Sequence, residues 1–337
     1  MGLTRRQYLA MAGAGLCRAA ENPLTRQWQR IASGTDGVVG AAALHLNSGR
    51  HASLHGGERF PLASVCKLPI AIAILAMAGE GKLSLDDQIE IPLQDVVPGV
   101  SIVAERWPGQ KRFRLNELLE WMVAKSDNSA VETLFRMSGG AAGMAARFLQ
   151  WQVEGMRVDR SERECALDSA GVNPIPPVSQ WTPGMFEELT AKIAPQDRRR
   201  AMRRFMADPR DTATPDGTVH LLQRAFRGEL LSASLTGRLV EILEAATTGS
   251  ARIKGLLPAG TVVAHKTGTT ATFLNLNGGT NDVGVITLPK GGQLAIAVYV
   301  KGSTRDLATR EKIIAGIARS AFRRLVLTPR PFSVKIR

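Results

Sequence analysis

A serine three residues ahead of a lysine, Ser64-Val65-Cys66-Lys67, opens the apolar run L-P-I-A-I-A-I-L. Side chains three apart on a helix are neighbours, so a helix starting at Ser64 puts its hydroxyl one turn from the Lys67 amine. A serine hydroxyl is a poor nucleophile until a nearby base takes its proton. Lysine can be that base where apolar walls and other cations disfavour the ammonium form. A helix start also offers free backbone N–H groups, which favour developing negative charge. Taken alone, the motif reads equally well as a surface serine and a snorkelling lysine.

Two companions change that balance. Ser126-Asp127-Asn128 breaks two apolar helical stretches, E-L-L-E-W-M-V-A-K and S-A-V-E-T-L-F. Such residues cap helices by bonding nearby backbone. In an acyl-transfer site, Ser126 would relay a proton to a leaving nitrogen and Asn128 would hold a substrate amide. Lys266-Thr267-Gly268 follows the alternating strand pattern T-V-V-A-H. On a strand edge it would pair with an extended substrate, Gly268 allowing close backbone approach. The three motifs together describe a serine acyl-transfer site that uses lysine, not histidine, to activate its nucleophile.

From about Leu24 to about Arg324 the chain resembles a class A serine β-lactamase. F-P-L-A-S-V-C-K-L-P is similar to the family's nucleophile segment, and R-V-D-R-S-E-R-E to the opening of its Ω-loop. D-P-R-D-T-A-T-P is similar to the loop's end, and L-L-P-A-G-T-V-V-A-H-K-T-G-T-T and N-D-V-G-V-I-T-L-P to the strands beside the site. The resemblance implies Glu162 as general base of deacylation, with Glu164 and Glu154 as nearby alternatives. It implies an Arg160–Asp211 pair closing the loop. Thr269 and Ser64 would supply the oxyanion-hole N–H groups, whose preorganisation is often the largest catalytic term.

The chain departs from the family in two places. The position four residues after the base, where the family usually has an asparagine holding the deacylating water, is Ala166. The Ω-loop region, 160–211, is far longer than the family's and carries an insertion at about 167–206. Within it, S-Q-W-T-P-G-M-F-E-E-L-T-A-K-I reads as an amphipathic helix with Pro183 in its first turn, and R-R-R-A-M-R-R-F-M as a strongly basic second one. An insertion closed at its base costs little extra loop entropy.

β-Lactams and acyl-D-alanyl-D-alanine models carry a carboxylate, which suits Lys266 together with a guanidinium fork. N-D-V-G lacks the arginine that many family members place on that strand. Arg252 falls where a subgroup compensates, and Arg310, at the head of the last helix, is the other candidate; either is also readable as a surface charge. The expected site is therefore Ser64, Lys67, Ser126 and Glu162 for catalysis, with Asn128, Lys266, Thr267, Gly268, Thr269 and Arg252 for binding.

Composition agrees without deciding. The 337 residues are 44% hydrophobic, ample for a large core, and no apolar run is long enough to span a bilayer. The net charge of +13 raises nucleic-acid binding, but the basic cluster Arg198–Arg204 lacks an aromatic stacking platform and reads better as a solvated helix face. Cys17, Cys66 and Cys165 have no metal spacing, and no structural disulfide is expected. The five histidines are scattered without metal-ligand spacing. No metal, cofactor or nucleic-acid partner is expected, and a monomer is.

Residues 1–20 resemble a twin-arginine export signal, with Arg5-Arg6 before a short small-residue stretch and cleavage after Ala19 or Ala20. Periplasmic or secreted location without a lipid anchor follows. Strands are expected over 37–47, 50–58, 261–265, 282–287 and 293–300, and a closing helix over 307–324. Strands at both ends with helices between them imply an α/β sandwich, an antiparallel sheet flanked by helices, made from 24–66 and 212–326. The all-helical lobe would be 67–211, the site would lie in the crevice, and 327–337 would form a basic tail. A penicillin-binding DD-peptidase that deacylates slowly is the competing reading, kept open by Ala166; a non-catalytic cell-wall binder is a third, against which the intact triplet stands.

Overall fold

The computed structural model describes residues 22–289 and 291–326. The expected export signal and basic tail lie outside the described residues.

Strands β1 (Val38–His45), β2 (His51–Leu54), β3 (Val263–Thr269), β4 (Thr280–Thr287) and β5 (Gln293–Lys301) form one antiparallel sheet in the order β2-β1-β5-β4-β3. Both faces are covered, and the period-two alternation of a strand sorts the side chains. In β5, Leu294, Ile296, Val298 and Val300 enter one core, while Ala295, Ala297 and Tyr299 enter the other. The first core lies under helices Pro23–Ala32 and Leu307–Val326. Trp28 Nε1 donates to Ser320 Oγ across that pair at 2.8 Å. The second core is larger and continuous with a helical lobe.

At the centre of this second core runs helix Lys67–Gly79, whose residues from Lys67 to Ala76 are all buried. A helix that is apolar all round has no solvent face to offer, so its only stable place is the interior. Gly40 lets the layers meet here: a Cβ on it would fall 2.3 Å from the Phe60 ring, which stacks on Tyr299.

The lobe is helical except for one short ladder, Gln88–Glu90 against Arg112–Arg114, where Phe113 is buried between two exposed arginines. At its neck, Phe60–Pro61 pairs with Thr212–Ala213. The loop ends are held together by a bridge between Met156 and Ala213 and by the Arg157 N–H on the Thr212 carbonyl at 2.9 Å, and the long segment between them folds back on the body. Trp181 anchors it, packing with Val97, Leu167 and Val172 and donating to the Val96 carbonyl at 3.1 Å.

The two insertion helices are shifted from the sequence expectation. Pro183 precedes the first, which runs Met185–Ala191, because a Thr182–Met185 turn comes before it. The second starts at Pro195 and ends at Ala207, burying Ala201, Met202 and Phe205. Arg200, Arg203 and Arg204 are exposed, as the solvated-face reading expects, whereas Arg198 and Arg199 are half-buried and Arg198 folds back on the Thr190 and Ile193 carbonyls.

Candidate active site

The crevice between sheet and lobe collects the three motifs. Ser64 lies in a 3₁₀ turn, Ala63–Cys66, that leads directly into helix Lys67–Gly79. Ala63 has φ +47°, a left-handed conformation costly for a residue with a Cβ. The turn is held by Asn281 on β4, whose side-chain amide donates to the carbonyls of Pro61 at 2.8 Å and Leu62 at 3.0 Å. Gly268 explains the glycine of the third motif. A Cβ there would lie 2.6 Å from the Leu62 oxygen and 3.0 Å from the Val65 nitrogen, so only glycine lets β3 pass this close to the serine turn.

Lys67 is fully buried. Its Nζ donates to the Ser126 carbonyl at 2.7 Å, the Ser126 hydroxyl at 3.3 Å and Asn128 Oδ1 at 2.7 Å. These three contacts tie the lysine to the second motif. Lys266, also fully buried, donates to the same Ser126 hydroxyl at 3.0 Å. Burial lowers the Lys266 pKa from its usual range to about 7, and the neighbouring charge of Lys67 adds to the effect.

Ser126 reaches both lysines because its backbone is left-handed (φ +61°), ending a π-helical turn over Trp121–Lys125. Asp127 then caps helix Asn128–Met137, accepting from Ala130 N at 2.8 Å, and it also receives Ser101 Oγ at 2.9 Å and Val103 N at 3.1 Å. The cap reading of this triplet is realised by Asp127, while Ser126 and Asn128 on either side of it contact Lys67. Asn128 presents its oxygen to Lys67 and its NH₂ to the Pro98 carbonyl at 3.0 Å.

Glu162 is the first residue of helix Glu162–Ala170 and lines a cavity of about 160 Å³ together with Ser64, Cys66, Thr269 and Thr270. Glu164 is committed elsewhere: Ser161 caps the same helix, and the Glu164 carboxylate accepts from Ser161 N at 2.8 Å in a reciprocal box. Ala166 lines the same cavity with a methyl group. Phe186, Phe205 and Phe273 add aromatic rings to its lining.

The loop carrying Glu162 is clamped. Arg160, on a side chain 6% exposed, donates Nε to Asp211 Oδ2 at 2.5 Å, while Asp211 Oδ1 accepts the backbone N–H of Asp159 and Arg160. Asp168 pairs with the same guanidinium, which lies over the Phe205 ring.

Arg252 is placed differently from a free fork awaiting a carboxylate. It is buried behind β3, donating to the Gly268 carbonyl at 3.2 Å, the Asn281 carbonyl at 2.8 Å and Thr269 Oγ1 at 2.7 Å, with Glu311 against its Nε at 3.1 Å. It touches the site through Thr269. Arg310 is buried further back, donating to Thr280 Oγ1 at 2.8 Å. Thr248, which spacing gave no reason to select, meets the Thr267 hydroxyl at 2.6 Å.

Cys66 and Cys165 are free thiols that share the cavity wall, a meeting that their distance along the chain hid. Burial, reinforced by the Glu162 charge, pushes the Cys66 thiol up to about 12. His265 is buried against Asp282 at 2.9 Å and His51 pairs with Asp216 at 3.0 Å, so these two histidines find carboxylates far along the chain. Among the described residues no cluster of three or more histidine, cysteine or carboxylate side chains suits a metal ion, and no helix is long and apolar enough to cross a membrane.

Residues 23–325 match the model of the beta-lactamase enzyme family. The chain is 29% identical over 304 residues to the beta-lactamase VEB-1 of Pseudomonas aeruginosa, covering 89% of this chain and 90% of that one. It is 28% identical over 313 residues to the extended-spectrum beta-lactamase PER-1 of the same organism, covering 90% and 88%. A crystal structure of a beta-lactamase from Chitinophaga pinensis is similar with a TM-score of 0.74 and 32% identity, over 90% of this chain and 99% of that one. The DD-peptidase alternative is not favoured by these likenesses. The chain belongs to the beta-lactamase enzyme family, and within it is a class A serine β-lactamase, a hydrolase of β-lactam antibiotics.

Proposed function

We propose that hydrolysis runs through an acyl-enzyme on Ser64. The observation that carries this reading is the convergence of two buried lysines on the Ser126 hydroxyl, with Ser64 and Glu162 on the wall of one cavity. Ser64 Oγ attacks the lactam carbonyl carbon while Lys67, in its neutral form, takes the hydroxyl proton. The oxyanion forms against the backbone N–H groups of Ser64 and Thr269. The C–N bond then breaks, and Ser126 passes its hydroxyl proton to the nitrogen, replaced from Lys67 by the proton taken from Ser64.

Glu162 next takes a proton from water as the water oxygen attacks the ester carbonyl; the C–Oγ bond then breaks, and the proton held by Glu162 is returned to the departing Ser64 Oγ. The intermediate is thereby hydrolysed and the serine restored. Glu162 is favoured over Glu164 because the latter's carboxylate is spent on its helix cap. Lys266, Thr267 and Asn128 orient the substrate carboxylate and amide. Arg252 acts by holding Thr269 and Gly268 in place. The part of the cavity lined by Phe186, Phe205 and Phe273 takes the acyl side chain.

The leader at Arg5-Arg6 supports export to the periplasm or beyond, and the enzyme is proposed to act as a monomer. Nitrocefin turnover by the wild type and by Ser64→Ala, with intact-mass detection of the acyl species, tests the assignment. Loss of both turnover and labelling in the variant is expected. Labelling of Ser64→Ala at the wild-type rate would remove the nucleophile and the mechanism with it.

A further inference from the structure

Behind the Ω-loop, away from the substrate cavity, a carboxylate and a guanidinium are buried together. Glu132, on helix Asn128–Met137, is 4% exposed, and Arg163 is 5% exposed. Glu132 Oε2 accepts the backbone N–H of Arg163 at 3.1 Å, and its Oε1 lies 3.8 Å from Arg163 Nη1. That distance is an ionic contact without a hydrogen bond. Arg163 Nε and Nη1 find no hydrogen-bond acceptor, and the guanidinium lies 5.4 Å over the Trp181 ring.

Arg163 follows Glu162 directly, and its N–H is one of the free donors of a helix that begins at Glu162. A carboxylate there complements the positive end of the helix. We infer that Glu132 is the positioning residue that fixes Glu162, and that its ionised form is required for efficient deacylation. The inference rests on the reading that Ser64 is acylated and Glu162 deacylates it.

The surroundings define when that form is present. Burial raises the Glu132 pKa to about 7, and the charge of Asp95 pushes the same way, while Arg163 and the Ser161 hydroxyl oppose them. Asp95 is itself neutralised by Arg136, from the helix that carries Glu132, at 2.6 Å, and accepts from Thr133 at 2.9 Å. Glu164, on the wall of the same pocket, is held by the helix cap. Lys67, on the central helix, reaches only as far as Asn128, one turn earlier. Arg163 is thus the cation that answers Glu132. As pH falls through about 7, Glu132 takes a proton, its attraction for the guanidinium is lost, and its acceptor strength towards the helix N–H weakens. Glu162 is then free to drift, and displacements of about 1 Å cost on the order of a hundredfold in rate.

The experiment measures acylation and deacylation separately from pH 5.5 to 8.5, with benzylpenicillin, for the wild type, Glu132→Gln and Glu132→Asp. In the wild type, the steady-state acyl-enzyme fraction rises as pH falls through about 7. Glu132→Gln, unable to ionise, deacylates roughly tenfold or more slowly across the whole range and loses that limb, while its rate of covalent labelling is kept. Glu132→Asp restores part of the limb because it restores the charge. Unaltered deacylation and an unaltered limb in Glu132→Gln would overturn the inference; should that variant not fold, an acyl-enzyme fraction in Glu132→Asp indifferent to pH would do the same. Covalent labelling of Ser64→Ala at the wild-type rate would count instead against the proposed mechanism.

Discussion

Lys67 and Lys266 reach the same oxygen from opposite elements, one from the central helix and one from strand β3, at 3.3 and 3.0 Å from Ser126 Oγ. Burial lowers the Lys266 pKa to about 7, and the charge of Lys67 in the same pocket adds to the effect. That repulsion is useful: a substrate carboxylate entering the pocket relieves it.

A pH dependence follows directly. Carboxylate capture needs the charged form of Lys266, so kcat/KM, which reports the free enzyme, falls as pH rises above about 7. Lys266→Arg keeps its charge at every accessible pH and abolishes that decline. The effect on folding has the opposite sign. The folded pKa lies below the unfolded one, so the unfolded chain binds more protons between about 7 and 10.5, and this residue's contribution to stability grows as pH climbs through that window. A rate profile for both enzymes checks the first claim and denaturant titrations from pH 7 to 10 the second.

Arg252→Ala is expected to damage both stability and capture. It leaves the Gly268 and Asn281 carbonyls and the Glu311 carboxylate short of a donor, and each unmet buried group costs about 1–3 kcal/mol. The melting temperature should fall together with kcat/KM for carboxylate-bearing substrates. Arg252→Lys rescues little, since an ammonium cannot span the fork. A melting curve beside the kinetics decides; lost capture at full stability would point to direct substrate contact.

Phe273→Ala opens the phenylalanine-lined part of the cavity while leaving the lysines, Ser64 and Glu162 in place. Preference for a benzyl over a methyl acyl side chain should shrink by about 1–3 kcal/mol in kcat/KM. Competition between two penicillins differing only in that group measures it, and an unchanged ratio would send the side chain elsewhere.

Arg160→Ala removes one member of a buried pair and strands Asp211, at about 3–5 kcal/mol. Because Asp211 also takes the N–H groups of Asp159 and Arg160, the loop that bears Glu162 loosens. Single-turnover experiments should show deacylation slowed far more than acylation.

The motifs were readable because each is local: a helix turn joins Ser64 to Lys67, and a helix cap and a strand present the other two. The sandwich was readable from alternating strands at both ends of the chain. The partners of Arg252, by contrast, depend on where β3 and β4 pass, which no local pattern states. Glu132 looks like any polar residue on an amphipathic helix until Arg163 is packed on it. The insertion helices were legible as helices, but Pro183 misled on where the first begins, since proline also suits the preceding turn. Cys66 and Cys165 became neighbours only through the folding of the Ω-loop onto the central helix.

The sharpest test is intact-mass spectrometry of Glu162→Gln during reaction with benzylpenicillin. An amide cannot accept the proton of the incoming water. Deacylation through Glu162 therefore predicts near-stoichiometric acyl-enzyme, formed at close to the wild-type rate and persisting long after wild-type enzyme has turned over. Unmodified Glu162→Gln hydrolysing at the wild-type rate, or accumulation in Glu164→Gln instead, would contradict it.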